Sequence, residues 1–561
     1  MKRDLRRLAK SKFDVLVIGG GITGACVAWD ATLRGLRVAL IEKGDFGGAT
    51  SANSLKMVHG GLRYLQDANP GLVRKMVRER QTLLRIAPHL VHPLPVVMPT
   101  YHGNFMRSKL VLGTAVKLND LLSFDRNWGS DPQKVLPNGR VLSRAACLDL
   151  LPGLDGAGVS GGVLWYDGQM YNSERLLLSF VLSAAAARAQ AVNYVTATGF
   201  LQEDGRVTGV RARDELSGVA LEIRARLVVN ATGPWVDDLL GRFDPPLLRH
   251  KFYLSTAMNL VTRQILRDCA VGLSSRYARA LPDGSTKSRS RVLFVAPWHG
   301  YSLVGTRHAP YDGDVAGDWV TEEIIRDFVA EVNQAYPGAA LRREDVYQVH
   351  RGFLPATADS RDRAGVRLIR EGQVTDHATE NGVDGLVTVV GVKYTTARHV
   401  AEKAVDLVFT KLGRPSPRCQ TAHTQLYGGQ ISRFDHFITQ AMEEWPYELP
   451  PSHLRRLLYN YGSAWRQLLP YWQQDPDLGQ PLTAATPLTK AEVLHGVRQE
   501  MAQKLSDVVL RRTELGLTGK PDEVCLQACA RIMAAELGWD RSRIFQEIEE
   551  MEAVYGARDQ K

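Results

Sequence analysis

The sequence predicts an α/β domain built on buried parallel strands, with an antiparallel sheet inserted in it and an all-helical domain after it. Three observations predict this. Apolar runs at Val15 to Ile18, Leu227 to Val229 and Asp384 to Val390 each lead into a glycine-containing turn, as buried parallel strands do. Residues 247–312 are rich in strand patterns broken by turns. Roughly the last 130 residues carry helical periodicity.

At 561 residues the chain exceeds one ordinary domain, and two or three are expected. Its 44% hydrophobic and 23% charged residues are those of a globular protein. No apolar run approaches the roughly 18 residues of a membrane span. Residues 1–12, MKRDLRRLAKSK, lack the apolar core of a secretory signal and read as a solvated basic tail. A cytoplasmic location is expected. The six cysteines are scattered. Cys525 and Cys529 share a helix face, but no second pair or histidine completes a zinc set, so no metal is expected. The net charge of +10 suits an anionic substrate or an anionic lipid surface, and no nucleic-acid motif accompanies it.

The first buried strand runs into Gly19, Gly21 and Gly24 at G-x-G-x-x-G spacing, and Ile22 to Leu33 then reads as a helix. The glycines provide a tight turn, close approach of backbone to a pyrophosphate, and close helix–strand packing. The phosphate is expected on free N–H groups at the helix N-terminus. A second strand, Arg37 to Ile41, ends in Glu42, placed to accept ribose hydroxyls. An acid there favours FAD or NAD over NADP. The run Gly47 to Ser54 is small and polar, suited to carrying Thr50, Ser51 and Asn53 past a second phosphate and a flavin ring. It leads into His59-Gly60-Gly61-Leu62-Arg63-Tyr64-Leu65.

The GGGITGA, ATS and HGGLRYL segments resemble the FAD-dependent glycerol-3-phosphate dehydrogenases of the D-amino-acid-oxidase-like flavoprotein superfamily. The resemblance implies FAD as cofactor. It implies a Rossmann-like FAD domain at residues 13–413, with an inserted antiparallel substrate-binding sheet. A linker at 414–429 and a C-terminal helical domain at 430–561 follow. It implies oxidation of sn-glycerol 3-phosphate to dihydroxyacetone phosphate, with electrons passed to quinone by a peripheral membrane enzyme. Gly60, Ala231 and Gly233 of the Ala231-Thr232-Gly233 turn, and Gly391 match cofactor positions. His59, Arg63, Tyr64, Arg370 and Lys393 match catalytic and substrate positions, with His59 the candidate base. A homodimer and contact with the inner face of the cell membrane are open among its partners; nucleic acid is not.

Further along, residues 67–90 read as a helix, and 91–140 as irregular because of Pro93, Pro95 and Pro99. Within them Phe105 to Leu122 is a basic amphipathic piece that could pack on its own domain or lie in a membrane interface. Gly161 to Met170 reads as a turn and short strand, Ser173 to Ala189 as a helix, and Val192 to Thr196 as a returning strand. A hairpin follows around residues 215–218. Trp298-His299-Gly300 reads as a second hairpin turn, and Glu322 to Ala335 as a helix. Helices are expected at Ser452 to Tyr461, Lys490 to Glu500, Leu505 to Glu514, Glu523 to Leu537 and Ser542 to Tyr555.

The substrate side departs from the family pattern. Leu354 stands where an arginine precedes the proline of a G-x-R-P-L sequence, with Arg351 three residues earlier. The family's G-S-H histidine has no counterpart near Leu254 to Met258, and Val392 replaces a glycine before Lys393. Two alternatives therefore stay open: a paralogue oxidising a different small alcohol or amine, and a flavin-binding assembly protein without turnover.

Overall fold

The computed structural model describes residues 1–65, 69–247, 253–280, 286–357, 367–484 and 486–556, with side chains outside 276–289. Its first sheet runs in the order Gln373–Asp376, Leu386–Val390, Ala220–Asn230, Lys12–Ile18, Val38–Ile41, Gln190–Val192. These strands are parallel except for Gln373–Asp376 at the edge, and the hairpin Val195–Glu203 and Arg206–Asp214 joins Ala220–Asn230 antiparallel. Lys12–Ile18 is buried from its second residue on, which explains a continuous apolar run rather than an alternating one. The helix Ile22–Leu33 packs between the helices Ser173–Ala186 and Ala397–Lys411. Two flanking helices need short side chains, and its residues from Gly24 to Thr32 are buried.

The inserted sheet runs Val346–Ala356, Tyr253–Arg263, Tyr301–Tyr311, Thr286–Trp298, Ala270–Ala280, Val91–Tyr101, Val159–Met170, Met57–Val58. It is antiparallel save for the contact of Ala270–Ala280 with Val91–Tyr101. One face packs on the helix Glu322–Ala335 through Met258, Leu260, Leu293, Val295 and Val304. The other face looks toward the first sheet. Trp298 and Tyr301 flank a two-residue hairpin, with His299 at φ 52° and Gly300 at φ 78°, the backbone that a twisted hairpin needs.

Three expectations fail here. Val91–Tyr101 is a long strand, not irregular chain, and Val159–Met170 is its full-length partner rather than a short strand. Pro93, Pro95 and Pro99 share one parity, so their missing N–H groups all fall on the edge away from Val159–Met170. Among the described residues, only Val96 and Val97 are paired on that edge. The basic start is not a solvated tail either. Leu5–Lys10 is a helix that buries Leu8, and Arg3 is ion-paired to Asp214.

Phe434–Glu444, Pro451–Tyr461, Lys490–Glu500, Glu523–Leu537 and Arg541–Gly556 form the C-terminal helices around their own apolar clusters. The helix expected at 505–514 is instead one α-turn, Leu505–Asp507, followed by π-helix at Val508–Arg512. The wider winding lets consecutive arginines reach one carboxylate. Arg512 is bidentate to Asp45 at 2.6 and 2.8 Å, and Arg511 meets it at 2.5 Å. Burial would raise the Asp45 carboxyl, but the two guanidinium groups outweigh it and hold it well below the usual range. Arg175 to Glu500 at 2.6 Å adds a second buried pair across the same interface.

Candidate functional site

Between the two sheets lies a cavity of about 1040 Å³. Its walls include Gly19, Gly21, Glu42, Thr50, Ser51, Asn53, Ala231, Gly233 and Gly391, as well as His59 and Lys393. At one end the helix Ile22–Leu33 begins with no side-chain cap on Gly21, and the Ile22 N–H meets the Ser51 hydroxyl at 3.0 Å. Gly19 has φ +106°, and a Cβ there would stand 2.5 Å from the Ala231 carbonyl oxygen. A Cβ on Gly24 would stand 1.9 Å from the Gly19 oxygen. Only glycine permits this approach of turn, helix and neighbouring strand. The Glu42 carboxylate accepts the N–H groups of Gly20 and Gly44 at 2.7 and 2.9 Å. Burial raises its carboxyl, with those amides opposing; its remaining lone pairs suit ribose hydroxyls. Lys43 beside it lies 3.4 Å over the Trp235 ring. The volume of the cavity, the glycine cradle and the carboxylate fit FAD.

Thr50 and Asn53 also join the two sheets. Thr50 Oγ1 donates to the Phe353 carbonyl at 3.2 Å and accepts the Phe353 N–H at 3.1 Å. The Asn53 carbonyl accepts from Asn259 Nδ2 at 3.1 Å. Gly60 is small for another reason than cofactor approach. Its N–H donates to Asp167 Oδ1 at 2.6 Å, and a Cβ would meet Arg80 Nη1 at 2.2 Å.

At the far end His59 Nδ1 stands 3.4 Å from Asp167 Oδ2. Asp167 Oδ1 accepts from buried Arg80 Nη1 at 2.6 Å, and Trp165 Nε1 approaches Oδ2 at 3.3 Å. Burial would raise the Asp167 carboxyl. The His59 contact, the Arg80 charge and the Gly60 N–H outweigh it and hold it well below the usual carboxylate range. An ionised carboxylate on Nδ1 selects the tautomer whose Nε2 carries a free lone pair. Asp167 and Arg80 are not apparent as site residues in the sequence. They lie 108 and 21 positions from His59, with no spacing rule to link them.

Lys393 meets two of the other expected residues. Its Nζ lies 4.9 Å from the centre of the Tyr64 ring and donates to the Arg370 carbonyl. Burial pushes its ammonium down to about 8, against the Glu371 charge and with that of Arg370. Arg63 is exposed beside Tyr64. Leu354 lines the cavity. Arg351 does not replace the missing cation: it pairs with Met258 on the opposite face of the sheet and is ion-paired to Asp318.

Residues 14–407 match the FAD dependent oxidoreductase family, and 419–544 match the C-terminal domain of alpha-glycerophosphate oxidase. A glycerol-3-phosphate dehydrogenase of Synechocystis is 33% identical, over 98% of this chain and 97% of its own. One of Mycobacterium leprae is 32% identical, over 98% of this chain and 89% of its own. The solved glycerol-3-phosphate dehydrogenase of Bacillus halodurans, complexed with FAD, superposes with a TM-score of 0.75 at 26% identity. That match covers 98% of this chain and 96% of the other. The cofactor is FAD, the chain is an oxidoreductase, and it belongs to the FAD-dependent glycerol-3-phosphate dehydrogenase family.

Proposed function

We propose that the enzyme oxidises the secondary alcohol of glycerol 3-phosphate to dihydroxyacetone phosphate and delivers the electrons to a quinone. The observation that carries this reading is His59, backed by Asp167, in the wall of a cavity that Lys393 also lines. His59 Nε2 takes the hydroxyl proton, and Asp167 stays ionised behind it, orienting the ring and stabilising the imidazolium. Lys393, Arg63 and Arg370 hold the phosphate, because cations bind it with strong, directional hydrogen bonds. Bound FAD supplies the two-electron acceptor for the substrate C–H. Anaerobic mixing of the purified protein with glycerol 3-phosphate tests this. Bleaching of the oxidised flavin band is expected. A flavin that dithionite reduces but glycerol 3-phosphate does not would overturn it. Leu354 in the cavity wall would then favour a less anionic alcohol or an amine.

The acceptor reading rests on a surface. The helix Lys109–Leu122 packs on the turn Leu62–Leu65 that carries Arg63 and Tyr64. Phe105, Leu110, Leu121, Phe124 and Trp128 around it are 63% to 74% exposed. Lys117 falls on the same helix face as Leu110 and Leu121. Apolar residues with interspersed basic charge suit an anionic bilayer surface, which would hold a lipid-dissolved quinone near the site. Among the described residues no helix is long and apolar enough to cross a membrane, so the contact is peripheral.

A further inference from the structure

We infer that His308, on the strand Tyr301–Tyr311, is a substrate-binding residue whose Nε2 accepts a hydrogen bond from the terminal hydroxyl of glycerol 3-phosphate. The inference deepens the substrate reading above and rests on it.

Register places the residue. His308 lies opposite Ala257 on the strand Tyr253–Arg263, and Ala257 lies opposite Gly352 on Val346–Ala356. Directly opposed residues share one face of a sheet. A Cβ on Gly352 would touch Thr50 at 3.0 Å, so this is the face turned to the cofactor loop. Two residues before His308, Thr306 lines the cavity and donates to Asn259 Oδ1 at 2.7 Å. Ala257 and Asn259 line the cavity as well. Arg307, between them, points with Met258 to the opposite face.

Chemistry then assigns the ring its role. His308 Nδ1 stands 3.3 Å from the Thr256 carbonyl oxygen. A carbonyl only accepts, so Nδ1 carries the proton and Nε2 is an acceptor. Burial pushes the imidazolium down to about 4, the Thr256 carbonyl opposing and the Arg291 and Arg63 charges adding. The ring is therefore neutral at physiological pH, and the Arg63 charge acts on it directly. A neutral acceptor beside phosphate-binding cations does not bind phosphate; it binds a hydroxyl. Glycerol 3-phosphate has two: His59 takes the proton of the secondary one, which leaves the terminal one for His308. An acceptor that a bound analogue covers without offering a donor is left unpaired, so such a site discriminates against analogues lacking the hydroxyl.

The test compares glycerol 3-phosphate with propane-1,2-diol 1-phosphate, which lacks the terminal hydroxyl, in anaerobic flavin reduction. His308→Asn keeps an N–H for the Thr256 carbonyl and deletes Nε2; His308→Gln places an amide oxygen near the Nε2 position. Flavin content reports on folding. The wild type is expected to prefer glycerol 3-phosphate by at least about tenfold in kcat/KM. His308→Asn should lose that preference through KM, and His308→Gln should restore part of it. Equal preference in wild type and flavin-replete His308→Asn overturns the role of His308 and leaves the substrate reading standing. A wild type reduced by neither compound overturns the substrate reading and this inference with it.

Discussion

Replacing Asp167 by asparagine changes one atom and reverses the hydrogen-bond logic behind His59. Four donors converge on the carboxylate: the Gly60 N–H and Arg80 Nη1 on Oδ1, and His59 Nδ1 and Trp165 Nε1 on Oδ2. An asparagine oxygen can serve only one pair. Arg80 is a buried cation, so the oxygen stays on its side and the new NH2 faces His59. Nδ1 must then accept, the ring proton moves to Nε2, and the base is lost in the neutral ring. Loss of a positioned base typically costs 10²- to 10⁴-fold in rate, or about 3–5 kcal/mol of transition-state stabilisation. Stopped-flow flavin reduction at saturating glycerol 3-phosphate measures it, with dithionite-reducible flavin confirming that FAD is bound. A flavin-replete Asp167→Asn enzyme within about threefold of wild type would refute the role given to the pair. Stability should fall as well, by about 3–5 kcal/mol, because Arg80 loses its countercharge. The sign with pH follows from the depressed carboxyl. The stabilisation that wild type gains is complete above the ordinary carboxylate pKa of about 4 and is lost only as pH falls through the lower folded value.

Gly24→Ala should purify with little or no FAD, because its Cβ would collide with the Gly19 carbonyl oxygen; flavin absorbance per mole of protein measures this. The Lys393 ammonium is lost as pH rises through about 8, so KM for glycerol 3-phosphate should climb above that pH toward the pH-independent value of Lys393→Met. A flat wild-type profile between pH 7 and 10 would count against Lys393 as a phosphate ligand. Arg512→Leu leaves buried Asp45 with one cationic partner instead of two; a loss of about 3–5 kcal/mol in denaturant unfolding is expected. Leu110→Glu with Leu121→Glu should abolish flotation with anionic vesicles while leaving flavin reduction by glycerol 3-phosphate intact. Flotation unchanged by these substitutions would remove the helix Lys109–Leu122 from the membrane contact.

The parts legible in the sequence are those whose physics is local. The glycines, the apolar strand before them and Glu42 lie within about thirty residues, because a pyrophosphate site needs a strand, a turn and a helix N-terminus in immediate succession. The hairpin at His299-Gly300 and the helix Glu322–Ala335 were legible for the same reason. What the sequence left open depends on register between distant strands. Three prolines in Val91–Tyr101 look like irregular chain until the pairing shows that their missing donors fall along one little-used edge. Arg351 looks like a substitute cation until the same pairing turns it to the far face, toward Asp318. His59 could be picked out by resemblance, but its carboxylate is 108 residues away, on the strand that pairs with Met57–Val58. The sequence near Leu254 to Met258 holds no histidine; in the folded protein one faces that strand from its neighbour, at Ala257↔His308. Local sequence sets the period and the turns, and so the cofactor cradle. Which side chains meet over the cofactor is decided by strand register, since a one-residue slip turns every side chain to the other face.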